Sequence, residues 1–68
     1  MKVTFENSNG EERVIGEVDN EKEAYKIIIN FLNEHNFKSY YVRYTREEVE
    51  HRTMFDVGSH TEFFYVYD

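Results

Sequence analysis

The chain has 68 residues, and its fourteen acidic and eight basic side chains give a net charge of −6. A chain of this length forms one small domain with about 3–5 kcal/mol of net stability, which leaves no room for a catalytic domain beside a substrate domain. The lack of cysteine excludes disulfides and thiolate metal sites, and the acidic balance disfavours general attraction to nucleic-acid phosphates.

No segment of the sequence predicts insertion into a membrane. Apolar runs such as Ile27 to Ile29 are far shorter than the roughly 20 residues that span a bilayer. Met1 leads directly into a strand pattern and not into a signal peptide. The expected location is therefore the cytoplasm.

The first predicted element is a β-hairpin centred on Asn9-Gly10. Both residues tolerate positive φ, so this dipeptide favours a two-residue type I′ turn. The register fixed by such a turn gives two opposite-charge pairs, Glu6 with Arg13 and Lys2 with Glu17. The apolar face is then predicted to hold Met1, Val3, Phe5, Val14 and Val18, with Ile15 alone on the opposite side.

A helix is predicted from about Glu21 to His35. Asn20 is a candidate N-cap with Glu23 in the capping-box position, and Asn36 is a candidate left-handed C-cap. The predicted apolar stripe consists of Ala24, Ile28, Phe31 and His35, flanked by Ile27, Leu32 and Tyr25. This pattern is typical of an amphipathic helix lying on a sheet.

The second half alternates with a period of two. Tyr40, Val42 and Tyr44 are expected to share a sheet face with Phe55 and Val57. The charged connection between these segments has neither Gly nor Pro, so the sequence leaves its length open. The apolar run that closes the sequence predicts a last strand.

These elements predict an α+β fold in which one amphipathic helix packs on a mostly antiparallel sheet, in the order ββαβββ, or ββαββ with a bent last strand. If Gly58 to Thr61 form a four-residue turn, Phe64 and Val66 point toward the helix, and Phe63, Tyr65 and Tyr67 point away from it. With a three-residue turn the two sets of side chains exchange faces. One helix covers one sheet face, so the other face is expected to be open.

Two segments resemble a known family. NFKSYY-x-R at residues 36–43 and FDVGSHTEFF at residues 55–64, together with FENSNGEERVIGEV and the acidic start of the helix, resemble small proteins encoded by phages and prophages of Gram-positive bacteria. The resemblance covers nearly the whole chain. It implies a phage context and the cytoplasm of the host cell, and it carries over no catalytic residue.

Asp56, Ser59 and His60 supply the residue types of a catalytic triad. Adjacent residues in a tight turn do not readily aim a serine hydroxyl at a histidine nitrogen, and a triad also needs an oxyanion hole and a substrate pocket. Turn hydrogen bonds from Ser59 and Thr61, with backbone freedom at Gly58, explain the segment better. We therefore expect no enzyme activity and no cofactor.

The three histidines, His35, His51 and His60, lack the spacings that preset metal-ligand geometry, so no metal site is predicted. His35 is expected to interact with carbonyls at the helix C-terminus. Base stacking on sheet aromatics is conceivable, but the acidic residues interrupt any positive groove, so nucleic-acid binding is disfavoured.

The surplus of aromatic residues carries the functional prediction. Nine of the twelve lie from Phe37 onward, and alternation prevents all of them from facing the helix. Tyr, Met and Arg are enriched at interface cores, so the open face or the turn at Gly58 to Glu62 is predicted to bind a host or phage protein, or a second copy. The candidate partner-binding residues are Tyr41, Arg43, Asp56, His60, Glu62, Phe63 and Tyr65. Arg43 is expected to lie close enough to Asp56 to pair with it. The alternative is that β-propensity alone places tyrosines there.

A second hypothesis is an acidic nucleic-acid mimic that inhibits a host DNA-binding protein or a defence nuclease. Its carriers would be spaced carboxylates rather than aromatics, and its binding would weaken steeply with salt. The candidate carboxylates are Glu11, Glu12, Glu17, Glu21, Glu23, Glu47, Glu48 and Glu50.

Overall fold

The structure, a computed structural model, describes residues 1–37 and 42–68. It confirms the predicted α+β fold with the order ββαβββ. The elements are β1 (Lys2–Glu6), β2 (Glu12–Glu17), α1 (Glu21–Glu34), β3 (Arg43–Glu47), β4 (Arg52–Asp56) and β5 (Phe63–Tyr67).

The five strands form one antiparallel sheet in the order β2-β1-β5-β4-β3. The last strand of the sequence, β5, therefore lies at the centre, between β1 and β4. The helix packs on one side of this sheet, and the buried core between them consists of Val3, Phe5, Ala24, Ile28, Phe31, Leu32, Phe55, Val57, Phe64 and Val66.

Both helix caps form as predicted. The Asn20 side chain accepts a hydrogen bond from Glu23 N at 2.9 Å. Asn36 has a φ of 55°, and Phe37 N donates to Leu32 O at 3.0 Å, which is the bonding of a Schellman motif. The helix ends at Glu34, one residue before the predicted end.

The first hairpin has a three-residue loop, so the predicted type I′ turn is wrong. Asn7 N donates to Glu11 O at 2.9 Å, and Gly10, with a φ of 80°, is the loop residue with positive φ. The Asn7 side chain accepts hydrogen bonds from Asn9 N and Glu11 N, which stabilises this longer loop.

A β-bulge at Ile15 compensates for the longer loop. Near the turn the register is displaced by one residue, with Thr4 opposite Val14. Beyond the bulge Val3 lies opposite Gly16, and the predicted register returns. The predicted pair of Lys2 with Glu17 is confirmed, whereas the pair of Glu6 with Arg13 is wrong.

The bulge also changes which side chains reach the core. Ile15, predicted on the outer side, packs against the core cluster, whereas Val14, predicted inside, is 54% exposed on the other face. The extra residue at the bulge reverses which side chains of β2 face the helix and which face away from it. Burial of the Ile15 side chain stabilises this arrangement.

The second half adopts the register predicted for a four-residue turn between β4 and β5. Phe55 pairs with both Tyr44 and Phe64, so the side chains of Phe64 and Val66 point toward the helix as the four-residue turn requires. Val42 packs against the core cluster, while Tyr40 lies outside the described residues. The β3–β4 hairpin closes with Glu47 opposite Arg52, so β3 extends into the predicted charged connection.

Within residues 1–37 and 42–68, no helix combines the length and apolar character that crossing a membrane requires.

Candidate functional site

The side of the sheet that the helix does not cover, here called the open face, carries alternate side chains from all five strands. Cross-strand pairing arranges them in three rows. The first row is Glu12, Glu6, Phe63, Asp56 and Arg43. The second row is Val14, Thr4, Tyr65, Met54 and Thr45. The third row is Glu17, Lys2, Tyr67, Arg52 and Glu47.

The first row and the adjoining turn bring together most of the predicted binding residues. Arg43, Asp56 and Phe63 are consecutive neighbours across three strands. The turn that carries His60 and Glu62 joins β4 and β5 at this same end of the sheet. Five of the seven predicted residues therefore lie at one end of the open face. Tyr65 lies one row away, and Tyr41 lies outside the described residues.

The Arg43–Asp56 pair predicted from the strand register is confirmed. Arg43 Nη2 lies 3.2 Å from Asp56 Oδ2, with the arginine side chain 70% exposed. The backbone N–H of Gly58 donates to the other carboxylate oxygen, Oδ1, at 2.9 Å. This bond, followed by the one from Arg43, lowers the pKa of Asp56 below its ordinary value.

The turn after β4 is held by Ser59. Its hydroxyl accepts hydrogen bonds from Thr61 N at 3.3 Å and Glu62 N at 3.1 Å, and it donates to Glu62 Oε1 at 3.1 Å. Gly58 has a φ of 91°, and His60 is exposed. The predicted turn chemistry is thus confirmed, and the Ser59 hydroxyl donates to a carboxylate and not to an imidazole.

Tyr65 departs from the prediction of an exposed aromatic. It lies on the open face, but it is only 6% exposed because the Arg52 guanidinium stacks on its ring, with Cζ 3.8 Å from the ring centroid. Its hydroxyl donates to Glu6 Oε1 at 3.0 Å. Burial, reinforced by this carboxylate, raises the pKa of Tyr65 to about 12. Tyr65 thus acts as a structural residue of the open face.

Arg52 links the third row to the second. In addition to stacking on Tyr65, its Nε donates to Glu47 Oε1 at 2.6 Å and its Nη1 donates to the Tyr67 hydroxyl at 2.9 Å. Tyr67 in turn donates to Glu12 Oε2 at 2.5 Å. A single network therefore crosses from β3 to β2 over the open face.

Glu12 is the acceptor at the end of that network. Thr4 Oγ1 also donates to Glu12 Oε2, at 2.6 Å. Burial raises the pKa of Glu12, but the hydrogen bonds from Thr4 and Tyr67 and the charges of Arg52 and Lys2 outweigh burial, so the pKa is lowered. Glu12 is therefore ionised at neutral pH and held in place.

The network residues Arg52, Tyr67 and Glu12 were not predicted as a group. The signal that would have found them is the pairing of Arg52 with Tyr67, which the predicted four-residue turn between β4 and β5 already implies. The pairing of Arg52 with Glu47 depends on the length of the β3–β4 connection, which the sequence left open. The link to Glu12 also depends on the bulge, because the predicted register placed Glu12 elsewhere.

Outside the open face, Arg46 binds Asp68 at 2.6 Å and Glu48 at 2.9 Å. His35 Nδ1 lies 3.0 Å from Phe31 O, as predicted for a histidine at the helix C-terminus. Among residues 1–37 and 42–68, no group of three or more His, Asp or Glu side chains is arranged to hold a metal ion. Shallow concavities of about 310 Å³ and 290 Å³ lie beside the first hairpin, at Asn7 and Arg13, and between the helix and β3, at Tyr25 and Tyr44.

Comparison of the chain with models of protein families, with curated proteins and with solved structures finds no match.

Proposed function

We propose that this protein is a non-enzymatic binding module that recognises a host or phage protein through the first row of the open face and the adjoining turn. The observation that supports the proposal most is the one-sided cover of the sheet. One face is buried by the helix, whereas the other presents Phe63, Arg43 and His60 at a single end. The resemblance to phage and prophage proteins suggests the host cytoplasm as the place of action.

The chemistry of this end suits recognition of a protein surface. Phe63 is half-buried, which leaves part of an aromatic ring available, and its neighbour in the next row, Met54, is also half-buried. Aromatic, methionine and arginine side chains are enriched at interface cores. Arg43 and Asp56 add a charged pair at the rim, where such pairs favour specificity more than affinity.

The open face is also pre-organised. The stacked Arg52 and the hydroxyls of Tyr65 and Tyr67 are fixed by hydrogen bonds within the molecule. Side chains that are already ordered lose little conformational entropy on binding, a loss that otherwise costs about 0.5–1.5 kcal/mol for each flexible side chain. The network therefore supports a rigid surface beneath the exposed contacts.

Nucleic-acid mimicry has weaker support. Its candidate carboxylates include Glu12, Glu47 and Glu48, and the last two bind Arg52 and Arg46 of the same molecule. Glu12 accepts hydrogen bonds from two hydroxyls. Carboxylates that are engaged internally are poor substitutes for exposed phosphates.

The proposal is tested by capture from a lysate of a Gram-positive host, with Phe63→Ala and His60→Ala compared with the wild type. The control is Tyr25→Ala, which removes an aromatic that is 45% exposed on the helix side. We expect a captured protein to be reduced at least tenfold by the first two changes and to be retained by the control. Circular dichroism checks that each variant is folded.

Equal capture by all four proteins would contradict the proposed site. If capture falls steeply with added salt and is insensitive to Phe63→Ala, the nucleic-acid mimic is favoured instead, since salt screens exposed charges.

A further inference from the structure

Strand β3 is a regular edge strand. It pairs with β4 on one side, and it is the last strand in the sheet order. The opposite edge strand, β2, carries the bulge at Ile15, and bulges protect sheet edges from pairing with another chain. Among the described residues, β3 therefore offers the sheet edge that is suited to continued pairing.

The direction of the backbone groups along β3 follows from the neighbouring strands. Asp68 N donates to His51 O at 3.1 Å, so odd-numbered residues of β4 direct their N–H and C=O groups toward β5. Directions alternate along an antiparallel strand, so the even-numbered residues of β4 bond to β3. Their partners are odd-numbered, so Tyr44 and Arg46 direct their backbone groups toward the free edge.

The sequence of β3, Arg-Tyr-Thr-Arg-Glu, is complementary to itself when read antiparallel. With Thr45 opposite Thr45 of a second copy, Arg43 lies opposite Glu47 on the open face, and Tyr44 lies opposite Arg46 on the helix side. The first contact is an opposite-charge pair. The second places the Arg46 guanidinium, which Asp68 and Glu48 of its own copy bind at 2.6 Å and 2.9 Å, beside the Tyr44 ring, and the two-fold axis repeats both contacts.

Edge-directed residues must lie opposite edge-directed residues of the second copy, so any alternative register is displaced from this one by two residues. One such shift places Arg46 opposite Arg46 and removes the contact between Arg43 and Glu47. The other places Tyr44 opposite Tyr44 and removes the contact between Arg43 and Glu47. The arrangement centred on Thr45 pairs all five residues of β3. It also places Tyr44 of each copy opposite Arg46 of the other, where their edge-directed backbone groups form hydrogen bonds.

The same arrangement continues the charge pattern of the open face. In one copy Asp56 lies beside Arg43, with 3.2 Å between carboxylate and guanidinium. Across the axis Arg43 would meet Glu47 of the second copy, which is itself 2.6 Å from Arg52. Negative and positive side chains would thus alternate over four consecutive strands.

We propose that β3 pairs with β3 of a second copy about a two-fold axis at Thr45 and so forms a continuous ten-stranded sheet. The occupant of the edge is a second copy because the charges, the pairing of Tyr44 with Arg46 and the backbone directions of β3 fit that strand itself. This dimer shares Arg43 with the binding site proposed above but uses neither Phe63 nor His60, and it places the open faces of both copies on one surface.

The first experiment uses the absence of cysteine from the natural chain. In the proposed dimer Thr45 forms a non-hydrogen-bonded pair with its counterpart, at a Cα separation of about 4.5 Å that allows a disulfide. We expect Thr45→Cys to form a disulfide-linked dimer rapidly under mild oxidation. The matched control is Val14→Cys, which is exposed on the open face of the other edge strand and should remain largely monomeric.

The second experiment exchanges the charges. Arg43→Glu alone and Glu47→Arg alone each place like charges opposite one another, so light scattering should show the monomer mass, half that of the wild type. An equimolar mixture of the two variants restores opposite charges at both contacts and should recover the dimer mass. Because a folding defect is not repaired by mixing, this recovery separates pairing from instability.

A wild-type protein that remains monomeric at high concentration would overturn the proposal. So would a dimer that survives both charge variants, or equal cross-linking of Thr45→Cys and Val14→Cys. Neither Phe63→Ala nor His60→Ala should change the dimer, so failure of this proposal is distinguishable from failure of the binding function.

Discussion

Arg52 shows how one side chain organises the open face. Its planar guanidinium stacks on the Tyr65 ring while its edge donates to Glu47 and Tyr67. A guanidinium is suited to this combination because it offers several donors in a fixed plane and a flat surface for an aromatic ring. Its position on β4 explains why a buried tyrosine is tolerated on the uncovered side of the sheet.

Replacement of Arg52 by lysine tests this role. Lysine keeps the charge but loses the planar stacking and one of the two directed hydrogen bonds, so Arg52→Lys is expected to lower the free energy of unfolding by about 1–2 kcal/mol. Urea denaturation measures the change. Arg13→Lys is the matched control, because Arg13 is exposed and its Cζ lies 5.7 Å from the Phe31 centroid, so its replacement should change stability by less than about 0.5 kcal/mol. Equal losses in both variants would contradict the role of Arg52.

At the scale of the element, the first hairpin combines a longer loop with a compensating bulge. The extra loop residue moves the register by one position, and Ile15 restores it before Gly16 pairs with Val3. Gly16 then faces the helix, where a Cβ atom would lie 2.5 Å from Ile27 Cδ1. The glycine thus permits close contact between β2 and the helix.

This contact predicts coupling between Gly16 and Ile27. Gly16→Ala forces the tip of Ile27 to move, whereas Ile27→Val removes the atom that obstructs it. We therefore expect Gly16→Ala to be less destabilising in the Ile27→Val background, by about 0.5–1 kcal/mol. Chemical denaturation of the four proteins of a double-mutant cycle gives this coupling energy. A cycle that closes with simple additivity would show that the two residues do not compete for space.

At the scale of the whole molecule, a single helix on a five-stranded sheet leaves half of the sheet surface without a covering layer. The protein compensates with side chains that lie across that surface, and Tyr65 is buried there by Arg52 and not by a helix. The stability of the fold should therefore depend on the protonation of residues on the open face.

Alkaline titration tests that dependence. The pKa of Tyr65 is raised to about 12, against 10.0 for the ordinary group. A raised pKa means that the folded state holds the proton more tightly, so the associated stability is fully present below pH 10 and is lost as the pH rises toward about 12. We expect the free energy of unfolding to fall over this interval. Tyr65→Phe should reduce the fall, and an identical decline in this variant would contradict the assignment.

Much of the fold followed from local chemistry. Asn20 and Asn36 marked the helix ends because their side chains and backbone preferences act within a few residues. The alternation of apolar residues placed Phe55 on the inward face of β4, whereas the inward side of β5 depended on the length of the turn after β4. The confirmed pair of Arg43 with Asp56 followed from that alternation.

The sequence by itself determined the α+β class, the helix and its caps, and the shared face of Arg43 and Asp56, because each depends on short-range periodicity or turn chemistry. It left open which side of β5 faces the helix, and hence whether Phe63 lies beside Asp56. Only the tertiary structure decided the bulge at Ile15, the burial of Tyr65 under Arg52 and the position of β3 at the sheet edge. These features depend on contacts between strands distant in sequence, where a shift of one residue in a loop exchanges the two faces of a strand.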